Sequence, residues 1–408
     1  MQNFYFNLGD DPEFKLLLSK NECDKIYETK HLERTPSYVK KITKYSIISY
    51  MKEFLPYSLY PTLGLFRSVI VNSANTVVCF SPPKSVTADS FIQSNPHVYD
   101  SHIVVEEFVE GTMINVFFDP SIGVTGAWEI ATKKSVGANK TFFLKKNGKT
   151  FREMFMEAAE KQGLEIQNLN KQYCYSFVLQ HPSNRIVVPF KESALYLVEV
   201  YEIFHVRNSI YVCPVEPDTL LTTVLYPKQY TEHNSYTSLI DTFASMNTPY
   251  NVMGIVIKNK LTGQRCKIRN PNYEQVKELR GNQPKLQYQY LTLRKLGKVK
   301  DHLMYYPENR HDFSSFRDHL HLCTDTLFEN YIACFIKKVK KLNEYPEEYR
   351  PHMFRLHKKY LDEMRQKGDF ISRGTVIDYV NNLHPSQQMF WMNYSMVKRR
   401  VDFLAVDV

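Results

Sequence analysis

From Leu65 to Arg269 short apolar runs alternate with turn residues, the period-two pattern of β-strands. After Pro284 this pattern yields to helical spacing rich in Lys, Arg, Tyr and His. Leu65–Val71 and Thr76–Phe80 flank Asn72-Ser73-Ala74-Asn75 and predict a hairpin. Ile103–Phe108 and Met113–Phe118 flank Glu110-Gly111 and predict either a second strand pair or a sharp bend. Further strands are expected at Val124–Thr132, Tyr173–Leu179, Arg185–Val188, Leu195–Phe204 and Ile210–Cys213. Val252–Lys258 and Arg265–Arg269 read as a pair around Leu261-Thr262-Gly263. Thr150-Phe151-Arg152-Glu153 is a capping box that opens a helix through Lys161, stopped by Gly163. A second helix is expected over Ser238–Met246. A third follows the capping amide of Asn270 and Pro271 and ends at Gly281. The stretch up to about Tyr60 mixes short helical patterns with aromatic residues and reads as an irregular cap.

The 408 residues exceed what one domain usually holds, and the change of pattern places a boundary near Pro284: a strand-rich domain over 1–284 and a helical domain over 285–408. Hydrophobic residues at 43% and charged residues at 23% give ample core material. No apolar run is long enough to span a bilayer, and Met1-Gln2-Asn3-Phe4 carries no basic flank of a secretory signal. Seven scattered cysteines without a Cys-x-x-Cys pair argue against a disulfide framework or a structural zinc site. A reducing, cytoplasmic compartment is the simplest inference. The net charge of +9 suits a polyanion, although a mildly basic protein without such a partner shows the same value. Residues 285–408 hold 21 Lys+Arg against 15 Asp+Glu, so +6 of the excess lies in the helical third.

Candidate chemistry changes the picture more than charge does. Five segments occur in a telling order: Arg67 in Leu65-Phe66-Arg67-Ser68; Glu110-Gly111-Thr112 after Phe108-Val109; Tyr175 to Val187 with Pro182-Ser183-Asn184-Arg185-Ile186-Val187; Met253-Gly254-Ile255-Val256-Ile257; and Cys266-Lys267-Ile268-Arg269-Asn270. Together they resemble the phage RNA ligase 1-like branch of the covalent nucleotidyltransferases, over about Thr43 to Arg269. The run Arg269-Asn270-Pro271-Asn272-Tyr273, with Leu279-Arg280-Gly281-Asn282, is similar to RNA-ligase-like proteins of large DNA viruses, which would place the protein in host cytoplasm or a virion. The resemblance implies an α+β fold in which antiparallel sheets of adenylyltransferase type form a nucleotide cleft, followed by a mainly helical C-terminal domain. It also implies a chemistry: a lysine attacks the α-phosphate of a nucleotide, carboxylates hold a hydrated metal ion, and basic groups of the last strand stabilise the leaving pyrophosphate.

Three positions depart from that pattern. Phe108 stands where the nucleophilic lysine is expected, and neither Lys nor Arg occurs between Lys84 and Lys133. Val178 and Met253 stand at the expected glutamates. Phenylalanine cannot form a phosphoramidate, and valine and methionine cannot hold a hydrated divalent ion. No catalytic or metal-ligating residue is therefore assigned. What the resemblance leaves for nucleotide or phosphate binding is Arg67, Glu110, Gly111, Lys133, Lys267 and Arg269; Lys267 and Arg269 could equally be solvent-facing residues of a strand, and Lys134 makes the match of Lys133 ambiguous. Lys84, after Pro82-Pro83, reads as a surface lysine rather than a relocated nucleophile. The histidines of the last third read as helix-surface residues.

Lys337, Lys338, Lys340 and Lys341 are expected on a basic helix, with Tyr331, Tyr345 and Tyr349 nearby, as an RNA-tracking surface or else a solvated helix face. Three functions stay open: a degenerate ligase binding nucleotide or RNA ends, an active ATP- and Mg-dependent RNA ligase with a non-standard nucleophile, or an assembly protein retaining only the scaffold. RNA, a nucleotide and a partner protein all fit this reading; a membrane does not.

Overall fold

The computed structural model describes residues 4–9, 12, 14–15, 37–42, 45–142, 148–207, 209–216 and 221–398. The chain divides into two compact units, Met1–Lys277 and Glu278–Val408. The first unit carries the strands in chain order: β1 (Phe6–Asn7), β2 (Ser37–Ile42), β3 (Tyr45–Tyr50), β4 (Val69–Asn72), β5 (Val77–Phe80), β6 (Ile103–Glu107) and β7 (Thr112–Asp119). There follow β8 (Ala127–Thr132), β9 (Ser135–Val136), β10 (Tyr173–Gln180), β11 (Ala194–Val206), β12 (Ser209–Val215), β13 (Gly254–Asn259) and β14 (Arg265–Arg269). They form a seven-stranded sheet β1-β12-β11-β10-β7-β8-β9, a three-stranded sheet β14-β13-β6 and a four-stranded sheet β2-β3-β4-β5. All strand pairings within these sheets are antiparallel.

Alternation decides which face of each sheet is buried. Phe177 and Leu179 of β10 pack under the helix Phe151–Gln162 against Phe155, while Cys174 on the opposite face joins Ile47, Ile70 and Phe80 of the four-stranded sheet. Ile255, Ile257, Cys266 and Ile268 of the small sheet pack against Phe91 and Leu239 of the helices Ala88–Ser94 and Tyr236–Phe243. The other face of that sheet is left for Lys258, Arg265, Lys267 and Arg269.

Local signals match several elements. The Thr150 side chain accepts from the Glu153 amide, whose carboxylate accepts from the Thr150 amide, and Gly163 ends the helix at φ +68°. In the β4–β5 hairpin Asn75 adopts φ +56°, and the Asn72 carboxamide accepts from the amides of Ala74 and Thr76. Asn270 donates to the carbonyls of Pro249 and Val252 and accepts from Asn272 at the start of the helix Pro271–Arg280.

Four expectations change. The N-terminal cap contains two paired strands, β2 and β3, while its expected helical patterns fall largely outside the described residues. Arg67 precedes β4, after a short 3-10 turn at Leu63–Leu65, rather than lying within a strand. The strands around Glu110-Gly111 do not pair: β6 belongs to the small sheet and β7 to the large one, so the bend is the correct alternative. Arg185–Val188 is not a strand, because the amides of Val187 and Val188 donate to the Glu110 carboxylate instead of to a ladder.

The second unit is built of helices, among them Leu286–Lys295, Arg310–Tyr331, Arg350–Lys359, Arg373–Asn382 and Pro385–Met392, around a core with Leu291, Leu327, Met353, Val376 and Trp391. Its basic run is not helical. The long helix passes through a π-turn at Ile332–Ile336 and ends, and Lys338 adopts φ +53°. The Lys337 and Val339 amides donate to the carbonyls of Ile332 and Ala333, so the run caps a helix C-terminus, where cations suit the dipole. Tyr331 and Tyr345 are buried in the core and are not available as stacking platforms. No described helix is long and apolar enough to cross a membrane.

Candidate nucleotide and phosphate site

The segment Phe108–Gly111 carries the chain from the small sheet to the large one. The Phe108 amide donates to the Gly254 carbonyl at 3.1 Å, and the Asn270 amide donates to the Met253 carbonyl at 3.2 Å. Gly254 has φ +123°, and a Cβ there would lie 2.1 Å from the Ile268 carbonyl oxygen. Gly111 has φ +153°, and a Cβ there would lie 2.4 Å from the Leu179 carbonyl oxygen and 2.7 Å from Val178 Cγ1. Both glycines let strands approach too closely for any side chain. Phe108, Met253, Gly111 and Val178 are thus neighbours through the backbone.

Strand β14 supplies the cations. Arg265, Lys267 and Arg269 alternate on one face, opposite Cys266 and Ile268. Lys267 Nζ lies 4.5 Å from the centre of the Phe108 ring, and the Arg269 guanidinium lies 5.6 Å from it. Arg269 also donates to Glu274 at 2.7 Å. Burial holds the Lys267 amine well below the usual lysine range, and the charges of Arg265, Arg67, Arg269 and Lys84 push it further the same way. Burial likewise lowers the Arg67 guanidinium, with Arg265 and Arg269 adding to the shift and Tyr50 opposing it.

Lys133, in the turn between β8 and β9, has its Nζ 4.8 Å from the centre of the Tyr50 ring. Desolvation and then Arg67 bring its pKa down to about 8. Lys84 Nζ lies 4.4 Å from the centre of the Tyr60 ring and donates to the Ser85 carbonyl at 3.3 Å. The Lys84 amide is tied to the Gly64 carbonyl, and Val86 bridges Cys266, so this lysine sits beside β14. Under the cations lies an ion cluster: Lys258 Nζ bridges Glu106 at 2.8 Å and Glu199 at 2.7 Å, and Arg265 approaches Glu199 at 3.8 Å.

Glu110 is only 5% exposed and turns away from this group. Its carboxylate accepts from Val187 at 2.9 Å and Val188 at 3.0 Å. Burial raises its pKa and the backbone donors oppose that rise. Glu110 therefore works as a clamp on the 181–188 loop. The same loop is held by His181, which accepts from Ser183, and by Asn184, which donates to Thr112.

Arg67, Lys133, Lys267 and Arg269 thus share one electrostatic neighbourhood, with Phe108 beneath Lys267. The run at Lys337–Lys341 belongs to the second unit and is exposed. Sequence reasoning passed over Arg265 and Glu199 and left Lys84 on the surface. Arg265 was legible, since it continues the alternation of Lys267 and Arg269. Glu199 was not, because its role needs the pairing of β11 with β10 and the bulge after Ser176. Among the described residues, no three His, Cys, Asp or Glu side chains converge as a metal cage.

No protein-family model matches the chain. Over 221 residues it is 29% identical to an RNA ligase of Rhodothermus phage RM378, covering 52% of this chain and 45% of that protein. The chain therefore spans less than half the length of that relative. Among solved structures it is similar to Naegleria gruberi RNA ligase, a variant with ATP and Mn giving 15% identity, a TM-score of 0.34 and coverage of 49% and 58% of the two chains. The same ligase with PPi gives 14% identity and a TM-score of 0.32 over 48% and 57%. Over about half its length the chain is similar in sequence to an RNA ligase, and it carries antiparallel sheets followed along the chain by a helical C-terminal unit.

Proposed function

We propose that this chain is a degenerate relative of the RNA ligases whose cleft binds a nucleotide or a phosphorylated RNA end without forming a covalent nucleotidyl adduct. One observation carries the reading: the Phe108 ring, which the resemblance sets where the nucleophile is expected, packs against Lys267. A phenyl ring has no lone pair to attack a phosphate. The basic residues around it retain the means to hold one.

A second reading has its own support. The Lys267 amine lies against the ring that replaces the nucleophile, and its lowered pKa leaves more of it uncharged than an ordinary lysine. In that reading Lys267 Nζ attacks the α-phosphate, a phosphoramidate forms and pyrophosphate leaves. Incubation with magnesium and α-labelled ATP or GTP, followed by acid quench and peptide mapping, separates the two. We expect no acid-labile, hydroxylamine-resistant label. Stoichiometric label on Lys267, or on any other lysine, overturns the degenerate reading. Binding of matched RNAs with and without a 5′-phosphate then separates a binding protein from a bare scaffold: equal affinity for both at fixed salt removes the end-recognition reading.

A further inference from the structure

We propose that the cavity between the helices Arg350–Lys359 and Pro385–Met392 of the second unit is a guanine-selective nucleobase site, in which the base stacks on Phe390 and its edges meet Glu348 and Arg355. The guanine is carried by a free nucleotide or stands unpaired in an RNA. The inference does not rest on the phosphate-binding reading of the first unit, and its test reads a different part of the chain.

Three observations converge. The first is the aromatic wall. The cavity measures about 410 Å³, a size that takes a small organic ligand. The buried Trp391 and His352 line it, with ring centres 4.9 Å apart. Phe390 stands at its edge, 54% exposed, and meets the Tyr394 ring edge-on with 5.8 Å between centres. The second is an uncommitted pair of charges. Glu347 is taken by Lys398 at 2.6 Å and by the Tyr394 hydroxyl at 3.0 Å. Glu348 and Arg355 line the same cavity, yet among the described residues neither makes an ion pair, with the other or with a third group. The third is His352, only 9% exposed. Its Nδ1 shares a hydrogen bond with the Tyr379 hydroxyl at 2.8 Å, and its Nε2 has no partner among the described residues. Burial, and then Arg355, bring this ring down to about 4, so near pH 7 it offers a polar atom without a charge.

The two charges select among ligands. A cation is repelled by Arg355 and an anion by Glu348. A neutral planar ligand with donors on one edge and acceptors on another meets both. Guanine has that pattern: N1–H and the 2-amino group donate to a carboxylate, while O6 and N7 accept from a guanidinium as a bidentate pair. Adenine presents a single amino donor, and cytosine and uracil lack N7, so none of them satisfies both side chains. Stacking on Phe390 is a contact that every base makes. The ring therefore supplies affinity, and Glu348 with Arg355 supplies selectivity. A free amino acid also carries both charges, and phenylalanine is its control below.

Trp391 is one of only two tryptophans in the chain, which supplies the test. In the full chain carrying Trp128→Phe, the remaining tryptophan lines the cavity, and its fluorescence reports on ligands there. Guanosine is expected to quench it and to bind at least about tenfold tighter than adenosine, cytidine or uridine. Inosine, which lacks the 2-amino group, should bind about tenfold more weakly than guanosine, and Glu348→Gln should remove that difference. Phe390→Ala, at an exposed position, should weaken every nucleoside about tenfold, and Phe390→Tyr should restore binding. Isothermal titration of guanosine and inosine into the chain with both tryptophans, and into its Glu348→Gln variant, makes the same comparison if Trp128→Phe does not fold. An oligouridylate carrying one guanosine separates the sources: tighter binding than GMP assigns an unpaired RNA base, and equal or weaker binding assigns a free nucleotide. Equal affinity for the four nucleosides, or a preference for guanosine over inosine that survives Glu348→Gln, overturns the proposal. So does binding of phenylalanine or of N-acetylarginine amide where no nucleoside binds. Failure of guanosine to bind overturns it as well and leaves the reading of the first unit untouched.

Discussion

At the scale of single residues, the proposed function turns on Phe108, Val178 and Met253, which stand where the resemblance expects an amine and two carboxylates. Phe108→Lys places an amine at that position but adds no acidic side chain to oppose its charge, and Lys267 lies against the same position. The variant is therefore expected to stay unlabelled by ATP, and stoichiometric label would show that only the nucleophile had been lost. Lys133 gives a pH prediction. Its folded pKa is about 8 against the ordinary 10.5, so between these values the unfolded chain binds more protons than the native one. Lys133 thus weakens the fold below about pH 8, and its penalty fades as pH rises from about 8 toward 10.5. Lys133→Met, which keeps the aliphatic stem, should raise Tm at pH 7 and flatten this pH dependence while weakening anion binding. A lower Tm at pH 7 would mean that the charge has a compensating partner. In the wild type, anion affinity should decline as pH rises through about 8, as Lys133 loses its proton.

At the scale of elements, two glycines set how the sheets meet. Gly254→Ala would drive a Cβ to 2.1 Å from the Ile268 carbonyl and break the β13–β14 contact, a loss of roughly 2–4 kcal/mol. Gly163, at φ +68° with nothing within 4 Å, should tolerate alanine at a cost of roughly 1–2 kcal/mol. Urea unfolding of both variants checks the contrast; equal losses would mean that the close approach at Gly254 relaxes freely. Elements governed by their own neighbours were legible. The Thr150 capping box, the Asn72–Asn75 turn and the Asn270-Pro271 helix start depend on bonds within a few residues or on a fixed φ. The Arg185–Val188 strand and the basic helix were misread for the opposite reason. A carboxylate 77 residues away in sequence captures the amides of one, and the termination of a helix through a π-turn unwinds the other.

For the molecule as a whole, positive charge gathers around β14 in the first unit and on exposed lysines in the second. Each phosphate neutralised along single-stranded RNA releases counterions, giving a log–log salt slope of about −0.7 per contact. Replacing Lys337, Lys338, Lys340 and Lys341 by Gln should flatten that slope if this helix-end cluster tracks the backbone. Replacing Lys267 and Arg269 should instead reduce the preference for a 5′-phosphate at fixed salt. Fluorescence anisotropy against matched RNAs reads both effects. An unchanged slope in the four-lysine variant would remove the second unit from the RNA path.

By itself the sequence determined the division into a strand-rich part and a helical part, the hairpin and capped helices, and the order of segments that marks the RNA-ligase-like relationship. These are carried by periodicity and by short-range hydrogen bonding, which any stretch of chain expresses locally. It also determined that Phe108, Val178 and Met253 bring no nucleophile or carboxylate, since chemistry is absent wherever the side chain points. Only the tertiary structure decided that β6 and β7 lie in different sheets, that Glu110 clamps a loop instead of facing the cations, and that Arg265 and Lys84 join Arg67, Lys133 and Lys267. Those outcomes depend on pairings between residues far apart in the chain and on burial, which shifts an amine's proton affinity through neighbours the local sequence does not contain.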